Sequence, residues 1–468
     1  MNVARFVFGA AAALLATAVA GAPPGSRDIQ NPTNAAGGSS YYRDADRDGT
    51  LNVFDCNDDD GRVHPGATET FDGVDEDCNG AIDDGFDTTI DFAMRQIDRA
   101  LPGWIALDSA PRVAWTGAAF VVVWADRDDL LRLVRISPEG TLLDPEPLVL
   151  RAGVRSPDVA WSGTRLGIVY EDRSTDVTDV RLMTLDVHAS LLLDTLVYAG
   201  GAEPRIAWGQ QQFGVVWRRA SCFGDCVGYR TFDREGRPVD PIEMLPNSAG
   251  CADIAWSGSG TIPSTIEWNV VPGRFGIVYE AYFGFAATGD VLLVTRDPSA
   301  HLPGGLARVN THDNVPAPGG AMPSISGNPS GFAVSWHVFE NDVNGAHLRF
   351  FGVLDLEGIL EFPPDADAAF FSDVVWSGSE FIVVNENTGV GPLGGTDVHF
   401  RRIDSSGNAH PPGNWGPWSE LNLSAGTGGA ISTRPSIANA GPGLGVVWVE
   451  QEGTESYGHV RFATVVHR

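Results

Sequence analysis

The sequence predicts an all-β protein, and three observations lead to this fold class. Glycine and proline are frequent, with 56 and 30 of the 468 residues, and 13 tryptophans are spread along the chain. Such a composition is typical of short strands joined by turns. A phrase of the form Pro-x-aliphatic-Ala-Trp recurs from residue 111 onward, and each copy continues into a run of β-branched and aromatic residues. We therefore expect a seven-bladed β-propeller over residues 88–468, preceded by a small loop-rich module.

The repeat defines the predicted blades. Its seven copies begin at Pro111, Pro157, Pro204, Ala252, Pro323, Ser372 and Pro435. The second aromatic positions of successive copies lie 46 to 63 residues apart, enough for a four-stranded sheet with its loops. They are Trp124, Tyr170, Trp217, Tyr279, Trp336, Asn385 and Trp448. Because they recur at one strand position, we expect them to pack between blades.

The ends of the repeat region predict how the ring closes. The last copy stops after three strands, so residues 88–107 are expected to supply the fourth by pairing the two ends of the domain. A ring of six or eight blades stays open at this point, because the fifth and seventh copies lack the first Trp of the phrase.

The first forty residues predict export. Residues 1–20 combine Arg5, an apolar run and the small-residue pattern Ala18-Val19-Ala20, which indicates a secretory signal peptide. Residues 21–40 are rich in Pro, Gly, Ser and Asn and read as a flexible linker. We expect a secreted or cell-surface protein with no membrane insertion. A net charge of −29 argues against nucleic acid as a partner, because phosphates would repel the chain.

Residues 41–87 form an acidic module with fifteen of the sixty Asp and Glu residues of the chain. Its first loop runs from Asp44 to Asp55, with oxygen-bearing side chains at positions one, three, five, nine and twelve and Gly49 at position six. This spacing is typical of a loop that wraps oxygen ligands around Ca²⁺. The predicted ligands of the first loop are Asp44, Asp46, Asp48, Thr50 through its carbonyl, Asn52 and Asp55. Asp55 replaces the usual Glu, which should weaken binding or admit a water molecule.

A second, partial loop follows. Its predicted ligands are Asp75, Asp77, Asn79, Ala81 through its carbonyl, and Asp83. Position twelve is Phe86, so carboxylates from elsewhere in the module would have to complete this site. Fifteen carboxylates repel each other in so short a segment, and we expect ion binding to be coupled to folding. A solvated acidic run is the alternative for both loops.

Five cysteines are compatible with an exported protein. Cys56 and Cys78 flank the loops and are expected to form a disulfide, with a thiolate metal site as the alternative. In the third blade, Cys222, Cys226 and Cys251 allow one further disulfide, and the sequence leaves open which two of them pair.

Residues 44–85 resemble the metal-binding module named after the surface protein MopE, through the elements Asp-Cys-Asn-Asp, Pro-Gly-Ala-Thr-Glu, Asp-Gly-Val-Asp-Glu-Asp-Cys and Gly-Ala-Ile-Asp. The first half is also similar to the calcium repeats of thrombospondin type 3. The MopE resemblance carries an association with copper. However, His64 is the only histidine of this segment and no methionine is present, so the oxygen ligands favour Ca²⁺. Modules of this kind commonly carry another Cys where Phe71 stands here.

These features predict a non-catalytic calcium-binding protein whose propeller presents a surface to an extracellular protein or glycan. No nucleophile elbow, metalloprotease motif, phosphate loop or dinucleotide fingerprint is present. The alternative is a secreted carbohydrate-active enzyme, a glycosidase or lyase, with carboxylates in the funnel of the propeller. Candidates for such a ring are Glu171, Asp172, Glu280, Glu386 and Glu450, which follow the second strands of their blades.

Overall fold

The fold is taken from a computed structural model of the chain. The structure describes residues 44–51, 54–55, 57, 61–67, 78, 90–96, 105–106, 110–209, 211–219, 226–245, 248–257, 273–282, 289–297, 303–309, 320–329, 331–340, 343–352, 358–361, 368–378, 380–388, 396–404, 420–422, 431–441, 443–451 and 457–467. The predicted signal peptide and linker lie outside this range. The described residues contain strands and no helix, as the all-β prediction requires. No helix that could cross a bilayer occurs in the part of the chain that is described.

The strands follow one another in chain order. Two of them precede the first blade, β1 (Ile90–Gln96) and β2 (Ile105–Ala106). Blades one to three contain β3 (Arg112–Trp115), β4 (Phe120–Ala125), β5 (Leu130–Ile136), β6 (Leu148–Ala152), β7 (Val154–Trp161), β8 (Leu166–Asp172), β9 (Asp179–Leu185), β10 (Leu191–Ala199), β11 (Gly201–Gly209), β12 (Gln212–Arg219), β13 (Val227–Asp233) and β14 (Glu243–Met244).

Blades four to seven contain β15 (Ser248–Ser257), β16 (Arg274–Tyr282), β17 (Gly289–Arg296), β18 (Pro303–Arg308), β19 (Gly320–Asn328), β20 (Gly331–Glu340), β21 (Val343–Gly352), β22 (Gly358–Glu361), β23 (Ala368–Trp376), β24 (Glu380–Thr388), β25 (Thr396–Asp404), β26 (Glu420–Asn422), β27 (Ile431–Asn439), β28 (Gly443–Gln451) and β29 (Tyr457–His467). Every blade is an antiparallel meander of consecutive strands, apart from the outermost strand of the seventh.

The ring closes as the sequence predicted. In the seventh blade, β1 pairs with β29 in antiparallel register from Ile90 opposite His467 to Gln96 opposite Arg461. The strands β3, β7, β11, β15, β19, β23 and β27 each contact their counterparts in the neighbouring blades, and β27 contacts β3. These first strands therefore surround a central channel, and the predicted number of seven blades is confirmed.

Apolar contacts between blades form the core. Seven buried clusters each join two neighbouring blades, and one of them joins the seventh blade to the first. The seven side chains at the second aromatic position are at most 1% exposed. The six aromatic ones each belong to a cluster that joins two blades, so the prediction that they pack between blades is confirmed for them. A sheet that buries both faces in this way is stable only inside a closed ring.

The second strands of adjacent blades fit by complementary size. Adding a Cβ to Gly167, Gly214, Gly276 or Gly445 would place it 2.5–2.9 Å from a phenylalanine ring of the next blade. Where the equivalent residue is Val121 or Ile382, the next blade supplies Leu166 or Leu444 to the same cluster instead. A small residue thus receives a phenylalanine and a larger one receives a leucine, which keeps the packed volume nearly constant around the ring.

Candidate functional site

The first acidic loop has a backbone shaped by its own carboxylates. Asp44 accepts hydrogen bonds from the backbone N–H groups of Arg47 at 2.6 Å and Gly49 at 3.2 Å. Arg47 and Gly49 both have positive φ angles, 72° and 101°, so the chain turns sharply between the acidic side chains. Glycine adopts such angles at little cost, which accounts for Gly49 at the sixth position of the loop.

The turn brings three carboxylates together. Asp44, Asp46 and Asp48 each offer an oxygen atom, and these atoms lie within 4.8 Å of one another. Asp48 is fixed through Oδ1, which accepts the backbone N–H of Thr50 at 2.6 Å. The Oδ2 atoms of Asp46 and Asp48 are buried and accept no hydrogen bond. Buried carboxylate oxygens without a donor are costly unless a cation compensates them.

Neighbouring residues add to the electrostatic repulsion at Asp46. Burial raises the pKa of Asp46, and the negative charges of Asp48 and Asp55 raise it further. Asp55 is not one of the three clustered carboxylates, although it lies close enough to act on Asp46. Gly61 packs against the loop, since a Cβ there would lie 3.4 Å from Cβ of Asp48. Residues before and after the turn of the first loop therefore surround the three carboxylates.

The outcome for the predicted ligands is mixed. Asp44, Asp46 and Asp48 converge as expected, and Thr50 lies beside them through its N–H group. Asn52 and the whole second set, Asp75, Asp77, Asn79, Ala81 and Asp83, lie outside the described residues and stay predictions. The three clustered carboxylates fit a metal ion that prefers hard oxygen ligands.

The carboxylates that the enzymatic alternative would place around the funnel are buried. Glu171 accepts the backbone N–H of Glu203 at 2.9 Å and forms an ion pair with Arg173 at 2.8 Å. Glu386, at the equivalent position of the sixth blade, accepts hydrogen bonds from the Thr433 hydroxyl and the Arg434 backbone. Both acids thus hold the first strand of the following blade. Asp172 forms an ion pair with Arg151, and Glu450 forms one with Arg461, each at 2.7 Å. The remaining candidate, Glu280, is also buried, with 9% of its surface exposed.

A second group of charged residues lies in the channel, and it was not predicted from the sequence. The second residue of each repeat copy lies on the first strand of its blade. We term these seven residues the channel ring. Its members, from blade one to blade seven, are Arg112, Asp158, Arg205, Asp253, Ser324, Asp373 and Ser436. Burial lowers the pKa of Arg112, and the nearby charge of Arg205 lowers it further, while Asp158, Asp373 and Asp253 act in the opposite direction.

The acids of the channel ring connect the blades. Asp158, Asp253 and Asp373 accept the backbone N–H groups of Ile206, Ile325 and Ile437, each in the following blade, at 2.9–3.0 Å. Asp373 also accepts a hydrogen bond from the Ser324 hydroxyl at 2.9 Å. The alternation of Arg and Asp at this position over the first four copies of the repeat was the available sequence signal, but its meaning depends on the ring geometry.

Comparison with known protein families identifies the acidic segment. Residues 55–84 match the family described as "Putative metal-binding motif", whose name refers to copper and to MopE. The segment thus carries a metal-binding motif, and the three clustered aspartates precede the matched residues. No curated protein matches the chain.

Solved structures with a similar fold include a lectin, an endosialidase and a lyase. The BP39L lectin from Burkholderia pseudomallei has a TM-score of 0.48 at 15% identity, over 77% of this chain and 96% of its own. The phage phi92 endosialidase gives 0.45 at 11% identity, over 81% and 69%. The polysaccharide lyase Uly1 gives 0.46 at 10% identity, over 77% and 90%. At these identities and scores the likenesses say nothing about the activity or the ligands of this chain.

Proposed function

We propose that this chain is a secreted, non-catalytic calcium-binding protein whose propeller presents a binding surface to an extracellular protein or glycan. The observation that carries the proposal is the group of three carboxylates of Asp44, Asp46 and Asp48, held within 4.8 Å on a sharply turned loop. Two of their buried oxygens have no hydrogen-bond donor. A bound cation would supply the missing positive charge.

The donor set supports calcium rather than copper. The clustered ligands in the described part of the chain are aspartates, and Ca²⁺ favours carboxylate and carbonyl oxygen, whereas copper favours imidazole or sulfur. His64 makes only a long contact of 3.4 Å with the Pro65 carbonyl and is not one of the clustered residues.

Export is supported by the first twenty residues and by the cysteines. The apolar run and the Ala18-Val19-Ala20 pattern fit a secretory signal peptide. The cysteines allow two disulfides, one in the acidic module and one between two of Cys222, Cys226 and Cys251. Disulfides persist in oxidising compartments, which fits a protein that acts outside the cell. Pairing of Cys78 with Cys56 remains part of the proposal.

The bonding of the funnel carboxylates supports a binding role. A glycosidase requires two carboxyl groups that face each other and can reach the substrate. Here Glu171 and Glu386 are engaged by the backbone of the next blade, and Asp172 and Glu450 are engaged by arginines. None of these four is more than 7% exposed.

Calorimetric titration of the chelator-treated mature protein with Ca²⁺ and with Cu²⁺ tests the proposal. We expect saturable Ca²⁺ binding that is lost at the first loop when Asp46 and Asp48 are both changed to Asn. A matched control changes Asp128 and Asp176, two exposed acids of the propeller, to Asn and should leave binding intact. Binding of Cu²⁺ alone, or Ca²⁺ binding that survives the loop substitutions, would overturn the assignment.

A further inference from the structure

The central channel contains a cavity of about 410 Å³. Its wall is formed by the first strands of all seven blades, joined by Glu171 and Arg173 from the second blade. The volume falls within the range of small-molecule sites. The cavity thus lies on the axis of the ring, where residues from separate parts of the sequence meet.

The wall of the cavity is polarised. Four arginines line it, Arg112, Arg173, Arg205 and Arg434, and they come from blades one, two, three and seven, which are consecutive around the ring. Blades four, five and six contribute Asp253, Ser324 and Ser372 to the opposite wall. The hydroxyl groups of Ser324 and Ser372 donate to Asp373 and Ser335, so their oxygen atoms can still accept hydrogen bonds. One side of the cavity therefore offers guanidinium donors, and the other offers the acceptor oxygens of a carboxylate and two hydroxyl groups.

Two of these arginines have few partners in the described residues. Arg112 forms no hydrogen bond, and its nearest carboxylate oxygen, on Asp158, lies 3.9 Å from Nε although the side chain is only 18% exposed. Arg205 donates a single hydrogen bond, to the Pro204 carbonyl at 2.9 Å. A guanidinium group has five N–H donors, so most of the donors on this wall remain available to an anion.

The acids on the arginine wall do not cancel this capacity. Glu171 binds Arg173 through Oε2, Glu203 binds Arg218 outside the lining, and Asp158 accepts the backbone of the third blade. Asp158 uses Oδ2 for that backbone contact, and its Oδ1 faces Arg112 at 3.9 Å, which is beyond hydrogen-bond distance. Among the described residues, the arginine donors of this wall therefore have a nearby negative charge but no carboxylate hydrogen bond to Arg112 or Arg205.

The backbone around the cavity mouth is strained. Ser156, Glu203 and Arg434 line the cavity, and each is followed by a proline. Their own φ angles are positive, at 46°, 52° and 55° respectively. This conformation is rare for residues other than glycine, and strained residues of this kind gather at binding sites. The register of β11 shifts between Ala202 and Arg205, which marks a β-bulge at Glu203. The N–H group of Glu203 donates a hydrogen bond to Glu171, which fixes this bulge at the mouth of the cavity.

We propose that the cavity binds a carboxylate-bearing sugar, with the carboxylate on Arg112 and Arg205 and the ring hydroxyls against Asp253, Ser324 and Ser372. Guanidinium groups bind the carboxylate of a ligand through two parallel hydrogen bonds. On the opposite wall, the carboxylate of Asp253 and the two serine oxygens can accept hydrogen bonds from the hydroxyl groups of a sugar. The rings of Pro157, Pro323 and Pro435 add apolar surface between these polar groups. This inference deepens the proposed function, because it names the class of glycan that the propeller would bind.

Calorimetric titration of the full-length mature protein with glucuronate tests the inference. Arg205→Gln should weaken binding at least about tenfold, because a charge-assisted contact is lost. Since Arg205 is part of the channel ring and its loss could impair folding, Arg173→Gln at the mouth is the second variant, with the same expected direction. Arg237→Gln removes an equal charge from an exposed turn outside the cavity and should leave affinity unchanged.

Further titrations decide the chemistry of the ligand. Glucose and the methyl ester of glucuronate should not bind, and added salt should weaken binding of glucuronate. If acetate or a free glutamate binds as tightly as glucuronate, the assignment to a sugar is overturned. The site itself would be overturned if the folded wild type did not bind glucuronate. It would also be overturned if both cavity variants bound glucuronate with the affinity of the wild type. Because Ca²⁺ binding is measured separately on the same protein, failure of the cavity and failure of the calcium loop give different results.

Discussion

The acidic loop and the channel ring both crowd carboxylates together, but they differ in how the charges are compensated. In the loop, Asp46 and Asp48 each bury an oxygen that has no donor. In the channel, Asp158 and Asp253 accept a backbone N–H from the next blade and alternate with arginines. The density of acidic residues therefore does not by itself define a cation site. What defines it is the number of buried oxygens that the chain leaves without a partner.

If this difference holds, the stability of the propeller depends on apolar fit between blades and not on a bound cation. Gly276→Val tests this, because even a Cβ at this position would lie 2.5 Å from Phe332 of the next blade. We expect the free energy of unfolding to fall by about 3 kcal/mol, through overpacking. Urea denaturation should give the same loss with and without a chelator.

A compensating change distinguishes overpacking from general damage. Adding Phe332→Leu reproduces the pairing of Val121 with Leu166 in the first two blades, so the double variant should recover much of the lost stability. Phe332→Leu alone serves as the control and should destabilise by about 1 kcal/mol, because it leaves a cavity. A double variant no more stable than Gly276→Val would contradict the size rule.

A matched pair of aspartate substitutions, measured in chelator, sharpens the comparison directly. Asp158→Ala removes the acceptor of the Ile206 N–H and the nearest carboxylate of Arg112, and should cost about 2 kcal/mol. Asp46→Ala relieves repulsion from Asp48 and Asp55, so without a cation it should cost nothing. Chemical denaturation followed by tryptophan fluorescence reports the propeller, and circular dichroism follows the whole chain. An equal cost in both variants would remove the distinction between the two regions.

Much of the fold could be predicted, because the repeat reports local structure and burial at once. The alternation in each copy predicted the strands, and the incomplete last copy predicted that residues near Ile90 would close the ring. The positions of Asp44, Asp46 and Asp48 could be predicted for a similar reason. Ligands spaced two residues apart around a glycine are set by local turns, and these need no information from distant parts of the chain.

The channel could not be predicted in the same way, since its residues meet only through the closed ring. Arg112 and Asp253 are far apart in sequence, and nothing local indicates that their charges interact. Glu171 and Glu386 were candidates for an acidic ring only in the alternative reading as an enzyme, and in the structure each holds a bulge in the next blade. Those bulges place Glu203 and Arg434 in a backbone conformation that a residue before proline rarely adopts, so local preference pointed away from them.

The smallest expected effect concerns the pH dependence of the channel ring. Burial, helped by the charges of Asp373 and Asp158 and opposed by Arg205 and Arg112, raises the pKa of Asp253 to about 6. The folded state then binds this proton more tightly than the unfolded state. The stabilising contribution is therefore complete below the ordinary pKa of an aspartate, and it is lost as the pH rises to about 6.

Asp253→Asn keeps an acceptor for the Ile325 N–H but removes the charge. At neutral pH the variant should be more stable than the wild type by about 1 kcal/mol, and the advantage should vanish near pH 4. Thermal unfolding by calorimetry at several pH values measures this difference, with Asp128→Asn on the exposed surface as the control. A variant that is less stable than the wild type at neutral pH would mean that the arginines of the ring need the charge of Asp253. In that case the channel, like the loop, would lack full compensation by its own residues.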